Sequence, residues 1–443
     1  MSHVFHRHCH TKLPHVSHGV GVYLYDTEGK QYLDGCGGAA VSNLGHSHPA
    51  IKEAIKHQLD TIPYAHTGFF TSDVCEELAT LISDLAPASL NHVYFVSGGS
   101  EAVESALKMA RQYFVERGQT DKNQFIARRQ SYHGNTLGAL SVGGNEWRRE
   151  PFRPLLNNAH HISPCYAYRD QARDETELDY SIRVANELET TILEVGPENI
   201  MAFVAEPVVG ATSGAVPATD GYFKRIRQIC DKYDVLLILD EVMCGAGRTG
   251  TFFAFEQDDI IPDLVTMAKG LGAGYQPIGA VVASDEIYDT IANGSGFFQH
   301  GHTFMGHPMA CASALATIKT IINDQLLAKV TDLGSKLKQK LEDALLPLPY
   351  VGDIRGRGLF LAIELVANKE DKSPLAVSTQ ANKTIKQAAM KNGLMCYPMA
   401  GTIDGKQGHH ILIAPPFIIE ETQLDELVDK LKLSLQEASS TWS

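Results

Sequence analysis

Two acids and one amine frame the chemistry available to this chain. "VLLILDEVMCGAGRTG" (residues 235–250) ends an aliphatic run on Asp240 and Glu241, and "MAKGLGAGYQPIGA" (267–280) carries Lys269, 29 residues after Asp240. The run Val235 to Leu239 suits a strand covered on both faces. A carboxylate closing such a strand loses hydration and needs a partner. Ligands of open α/β sheets gather at the carboxyl ends of strands. A lysine in that place, among Gly270, Gly272 and Gly274, is a candidate imine-forming amine, because desolvation lowers its pKa and frees the lone pair.

Two further stretches supply what an amine and an acid alone lack. In "FVSGGSEAVESALKMARQYF" (95–114), Ser97, Gly98, Gly99 and Ser100 stand between a strand and a helix. The helix presents Val103, Ala106, Leu107, Ala110 and Phe114 on one face. Glycine amides and a helix amino terminus together accept an anion, and the Ser100 hydroxyl adds a donor. "SYHGNTLGALS" holds the turn Tyr132-His133-Gly134. Taken singly, each stretch has a plain structural reading: a capped helix start, a solvated lysine, an Asp in a surface turn. In this order they match the needs of pyridoxal phosphate, namely a phosphate cradle, a stacking face, a partner for the pyridinium nitrogen and an amine for the imine.

"GAGRTG" (245–250) fits G-x-G-x-x-G and raises a rival, a nicotinamide-dependent dehydrogenase. A dinucleotide fingerprint opens a helix and has its acid about 20 residues later. Here the acids come first and the aromatic "TFFAFEQDD" follows, so these glycines read instead as a tight passage beneath a cofactor ring. The P-loop, H-E-x-x-H and G-x-S-x-G patterns do not occur, which removes the common triphosphatase, zinc-protease and serine-hydrolase readings.

The elements that must position these groups form an alternating α/β pattern. Strands are expected at 92–96, 124–127, 201–205, 235–239, 264–267 and 278–283, with helices at 72–86, 100–117, 220–232 and 306–323. Such alternation predicts a mostly parallel sheet between helices. After residue 325 the texture changes to a long helix (326–345), "VGDIRGRGLFLAIELV", a helix at 376–392 and "HHILIAPPFII". The expected organisation is a large cofactor-binding domain at 61–325 and a smaller α+β domain at 326–443, joined by the segment 1–60 with its hairpin at 21–34 and a helix bearing Ile51, Ile55 and Leu59 on one face. A length of 443 residues favours two domains.

Composition narrows the partners. A net charge of -14 argues against nucleic acid or an anionic membrane. No run approaches the roughly 20 apolar residues of a membrane span, and the first residues lack an apolar leader segment, so a cytoplasmic protein is expected. The 8 cysteines contain no C-x-x-C pair and read as reduced thiols. His3, His6, His8 and His10 could take up a metal adventitiously, but a frayed or covered terminus is the simpler reading, and no metal site is expected.

The chain resembles the class III (omega-type) aminotransferases of the fold-type I pyridoxal phosphate enzymes over nearly its whole length. The resemblance is carried by "LDGCGGAAVSNLGHSHPAI", "SGGSEAVESALKMAR", "SYHGNTLGALS", "EPVVG", "LLILDEVMCGAGRTG", "MAKGLGAGYQPIGA", "HGHTFMGHPMACASA" and "LIAPPFII". It implies transfer of an amino group from an amine or omega-amino acid to pyruvate or 2-oxoglutarate by a ping-pong mechanism. Lys269 would form the internal aldimine with pyridoxal 5'-phosphate and shuttle the proton, and Asp240 would hold the ring nitrogen protonated. Val242 and Tyr132 would cover the two ring faces, Gly99 and Ser100 with Ser97 and Gly98 would hold the phosphate, and His133 and Glu206 would stand beside the cofactor. Thr303 resembles a residue that reaches the phosphate from a partner subunit, which implies a homodimer with shared sites, or a tetramer built from it. An aminomutase, racemase or decarboxylase on the same scaffold is the alternative.

Two positions depart from the family pattern. Many relatives carry a carboxylate-pairing Arg where Tyr397 stands, before Pro398 in "LMCYPMAGTIDGKQGHHILIAPPF". A phenol cannot form the bidentate pair, so carboxylate recognition is either lost or moved into the inserted loop, where Lys406, His409 and His410 are the candidates. Ala39 and Ala40 replace an aromatic pair of the diaminopelargonate aminotransferases, which points to a roomier substrate pocket.

Overall fold

A computed structural model describes residues 3–442. Its centre is a seven-stranded sheet in the order Leu90–Val96, Gly279–Ser284, Leu264–Met267, Leu236–Asp240, Ile200–Ala205, Gln124–Arg128 and Ala159–Ile162. Gly279–Ser284 runs antiparallel to both of its neighbours, while the other pairings are parallel. Its orientation follows from the connection: only 11 residues (268–278) separate it from Leu264–Met267, which is short for a parallel crossover of a dozen or more. Leu236–Asp240 is buried at every position, as an aliphatic run covered on both faces should be.

Helices cover both sides. Gly99–Glu116 buries Val103, Ala106, Leu107, Ala110 and Phe114 against one face. Glu177–Val195, Tyr222–Lys232 and Pro308–Asn323 pack into the core on the other. Glu177–Val195 and the edge strand Ala159–Ile162 lie in a stretch whose polar residues obscure the pattern, and both are additions to the sequence reading. Leu326–Leu345 is a single helix with Leu333, Leu337, Leu341 and Leu345 inward. Val351–Arg357 and Phe360–Leu365 form a hairpin extended by His409–Ile413 and Tyr397–Ala400, all antiparallel. The amino-terminal strands Val16–Val20, Tyr23–Asp26 and Gln31–Asp34 form a separate sheet, closed by Leu394–Met395. In helix Pro49–Thr61, Ile51 is fully buried but Leu59 is 53% exposed, because the apolar stripe outruns the surface that covers it.

Arg248 ties these parts together. Its buried guanidinium donates to the carbonyls of Leu359 (3.1 Å) and Pro415 (2.6 Å) and to Asn43 Oδ1 (2.5 Å), and it sits 4.6 Å from the Phe417 ring centre. Burial lowers its pKa to about 9. Arg248→Ala removes three donors and strands their acceptors. We expect a stability loss of about 3–5 kcal/mol, read as a lower urea midpoint.

The same segment corrects the passage expected beneath a ring. A Cβ on Gly247 would meet Leu327 Cδ2 at 2.9 Å, and one on Gly250 would meet Thr331 Oγ1 at 2.4 Å. One on Gly245 would meet Glu241 Oε2 at 2.7 Å. The glycines admit a neighbouring helix and an acid, not a cofactor. Residues 245–250 form turns and open no helix, which also disposes of the dinucleotide reading of this motif. All eight cysteines are free. Among the described residues, no helix is long and apolar enough to cross a membrane and no group of His, Cys, Asp and Glu is placed to hold a metal ion.

Candidate active site

The chemistry-bearing residues follow the carboxyl ends of the parallel strands, where the strand order leaves a crevice. Asp240 ends the central strand. Ser97 follows Leu90–Val96, Tyr132 and His133 follow Gln124–Arg128, Glu206 follows Ile200–Ala205, and Lys269 lies two residues beyond Leu264–Met267. Together with Gly98, Gly99, Ser100 and Val242, these residues line one cleft of about 370 Å³. A larger hollow of about 630 Å³ lies between the Arg129–Gln130 and Arg183–Glu187 segments, and it contains none of them.

Asp240 is held by three donors. His133 Nδ1 lies 2.8 Å from Oδ2, while Val242 N (3.0 Å) and Thr266 Oγ1 (3.2 Å) donate to Oδ1. With a carboxylate as partner, Nδ1 carries the hydrogen. His133 Nε2 is buried and has no partner among the described residues, so the ring's hydrogen bonding is directed to the acid alone. Glu206 accepts from Tyr132 N (3.1 Å) and Gly210 N (2.7 Å), and burial holds its carboxyl above the usual range.

Lys269 Nζ donates to the Ala39 carbonyl at 3.1 Å. Burial lowers its pKa to about 8, against the pull of Asp240 and Glu206. A lysine of that pKa is about one-tenth neutral at pH 7, whereas a solvated lysine is almost wholly protonated. Its backbone has φ 47°, a left-handed conformation uncommon outside glycine and often found at functional sites.

The cleft fits a phosphorylated pyridine on its own chemistry. The 18-residue helix Gly99–Glu116 starts in its wall, giving free amides and a positive dipole end for a phosphate. Backbone stands close there for a reason: a Cβ on Gly99 would lie 2.8 Å from Val242 Cγ1, and one on Gly134 would lie 2.7 Å from Ser100 Oγ. Ser100 Oγ accepts from Asn135 N at 3.0 Å, which leaves its hydrogen for an anion. The set is completed by a neutralisable amine, a fixed carboxylate and the phenol ring of Tyr132.

The model of the aminotransferase class-III family matches residues 5–435. The chain is 42% identical over 415 residues to the uncharacterized aminotransferase YodT of Bacillus subtilis, spanning 94% of this chain and 93% of that protein. This chain belongs to the class-III aminotransferases. The aminotransferase is also 36% identical over 421 residues to the putrescine–pyruvate aminotransferase of Pseudomonas aeruginosa, covering 95% and 90% of the two chains. Its structure matches the (S)-enantioselective omega-transaminase of Thermomicrobium roseum with a TM-score of 0.91 at 36% identity, over 98% and 96% of the chains. The α/β architecture is therefore that of the fold-type I transaminases.

Other positions singled out in the sequence lie elsewhere in the aminotransferase. Thr303 is exposed and outside the cleft, and its carbonyl accepts from Tyr64 Oη at 3.0 Å. Ala40 does not line the cleft; it is buried in an apolar cluster with Val208, Met243 and Phe360. Ala39 reaches the amine through its carbonyl only. Tyr397 is half-buried and packs on that same cluster. The inserted loop supplies no cation to the cleft. Lys406 is exposed on a turn closed by Asp404. His409 is buried with its pKa lowered by desolvation. His410 is locked between Thr402 Oγ1 (2.7 Å) and the Ala211 carbonyl (3.0 Å), and burial lowers its pKa to about 3.

Val41, Met243 and Gln276 also line the cleft, and the sequence pattern gives them no role. Gln276 stands inside a quoted motif, where its polarity among glycines was the available signal. Arg148, whose guanidinium carbon is 4.6 Å from the Tyr132 ring centre, had no local signal at all.

Proposed function

We propose that this aminotransferase uses pyridoxal 5'-phosphate to move an amino group from an amine or omega-amino acid to pyruvate or 2-oxoglutarate, in a ping-pong sequence. The observation that carries the reading is the meeting of the Lys269 amine and the Asp240 carboxylate in one cleft walled by a helix amino terminus. The name of the Pseudomonas relative, which gives putrescine as donor and pyruvate as acceptor, supports this substrate class.

Each residue has a part. The amides of Gly99 and Ser100 and the Ser100 hydroxyl bind the phosphate. Asp240, oriented by His133, keeps a proton on the ring nitrogen. The cofactor, when bound, supplies a conjugated pyridinium that takes up the electron pair left when the substrate Cα–H bond breaks. Lys269 Nζ would anchor the cofactor covalently, and as a free amine it would be the base that takes the substrate Cα proton and later gives it back. Tyr132 and Val242 hold the ring plane and keep water from its faces.

We also propose a homodimer in which Thr303 enters the partner's site. Tyr64 Oη donates to the Thr303 carbonyl and its ring lies 5.9 Å from that of Phe304, and Phe304, Phe69 and Phe70 are 56%, 81% and 68% exposed. Large apolar side chains left exposed to this extent mark contact surfaces.

The test is a donor screen of the cofactor-loaded enzyme with pyruvate and with 2-oxoglutarate, covering diamines, omega-amino acids and arylalkylamines. We expect equimolar carbonyl product and new amino acid, with parallel double-reciprocal lines. Racemised, rearranged or decarboxylated donor without amino transfer would overturn the reading in favour of the alternatives on the same scaffold.

A further inference from the structure

We infer that Arg148 is the specificity residue that holds the carboxylate of acidic substrates at the mouth of the cleft. The inference rests on the transaminase reading above. Arg148 belongs to the short helix Glu146–Arg149, is half-buried, and lies over the ring of Tyr132, itself a wall of the cleft.

Four neighbouring arginines are spoken for, and Arg7 of the amino-terminal segment is a second cation whose field reaches Arg148. Arg149 pairs with Glu146 at 2.8 Å, Arg153 pairs with the same acid, Arg128 donates to the Glu206 carbonyl, and Arg129 donates to the His161 carbonyl at 2.9 Å. Arg148 has no carboxylate partner among the described residues. The charged or ionisable groups whose fields it shares are Tyr132, Tyr397, Arg7 and Lys269. None of these is an acid at neutral pH. A partly desolvated guanidinium without a counter-ion is costly to keep in the free protein. A carboxylate entering the cleft relieves that cost through a bidentate pair.

The surroundings hold this cation in place. Arg148 N donates to Asn145 Oδ1 (3.3 Å), and Asn145 Nδ2 donates to Gln130 Oε1 (3.1 Å). Gln130 Nε2 in turn donates to the carbonyls of Gly401 (2.6 Å) and Thr402 (3.0 Å). Gly405, at φ 85°, packs so closely that a Cβ there would stand 3.2 Å from Trp147 N. The inserted loop at 401–408 thus contributes to carboxylate recognition as a buttress. Its own Lys and His residues do not reach the site, but it fixes the turn that carries Arg148.

The experiment compares Arg148→Gln and Arg148→Lys with wild type in the cofactor-loaded enzyme. For Arg148→Gln we expect KM for pyruvate and 2-oxoglutarate to rise on the order of 10- to 100-fold, a loss several times larger than any change in KM for an uncharged arylalkylamine. Calorimetric binding of glutarate, an unreactive dicarboxylate, should weaken in parallel, and Arg148→Lys should recover part of both. Unchanged KM for the oxo acids, equal losses for acid and uncharged amine, or glutarate binding insensitive to Arg148 would each overturn the assignment. A wild-type enzyme that transfers no amino group would defeat the transaminase reading instead, and glutarate binding would still test Arg148.

Discussion

Replacing Lys269 with Ala should lower amino transfer by on the order of 10⁴-fold or more and abolish the visible absorption of the loaded enzyme, while the protein stays folded. The expectation of a folded variant has a specific basis. Lys269 has φ 47°, and Ala at that position carries the same Cβ and meets the same backbone strain. The amine makes one hydrogen bond, to the Ala39 carbonyl at 3.1 Å, so the loss of contact is small. Removing a buried amine whose pKa is already lowered to about 8 also removes a desolvation cost. The thermal midpoint should therefore move little while turnover disappears. Residual transfer above about one-hundredth of wild type, with a single bound species by mass, would mean that another group carries the covalent step.

How much of this was readable in the sequence depended on how local each signal is. Asp240, Lys269 and the Ser97–Ser100 turn stand where strands end, and strand ends announce themselves by a switch from aliphatic to polar or glycine residues over a few positions. The parallel order of the sheet followed from alternation alone. The antiparallel turn of Gly279–Ser284 did not, since it depends on how short a connection can be and still cross the sheet. Arg148 was invisible for a related reason: its importance comes from what it lacks, and an absent counter-ion is a property of three-dimensional surroundings. Likewise Gly247 and Gly250 are required by Leu327, Phe417 and Thr331, which are more than 75 residues away in sequence.

Glu241 shows the same limit beside a legible neighbour. It is a carboxylic acid like Asp240 and follows it directly, yet the alternation of the strand that Asp240 ends turns it to the opposite side. It accepts from the amides of Ala254 (2.7 Å) and Phe255 (2.8 Å) and is buried. Burial pushes its pKa up to about 8 in opposition to those two donors. Two acids in sequence therefore divide into one that faces the cleft and one that fastens the following turn, a division set by the period of two along a strand.

Asp240→Asn should leave the fold intact and reduce turnover on the order of 10²- to 10³-fold. The amide oxygen can still accept from Val242 N and Thr266 Oγ1, now 3.0 and 3.2 Å from Oδ1. What changes is the other arm. An amide NH₂ in place of Oδ2 must donate to His133 Nδ1, now 2.8 Å away, which forces the imidazole hydrogen onto Nε2. That atom is buried without a partner, so the new tautomer costs about 1–3 kcal/mol. More directly, a neutral amide cannot hold a proton on a ring nitrogen as a carboxylate does. The loss should fall on kcat with the affinity for cofactor reduced far less, because the phosphate cradle at Gly99 and Ser100 is untouched. An Asn variant that turns over like wild type would show that Asp240 serves only to anchor His133, and His133→Ala would then be the more damaging change.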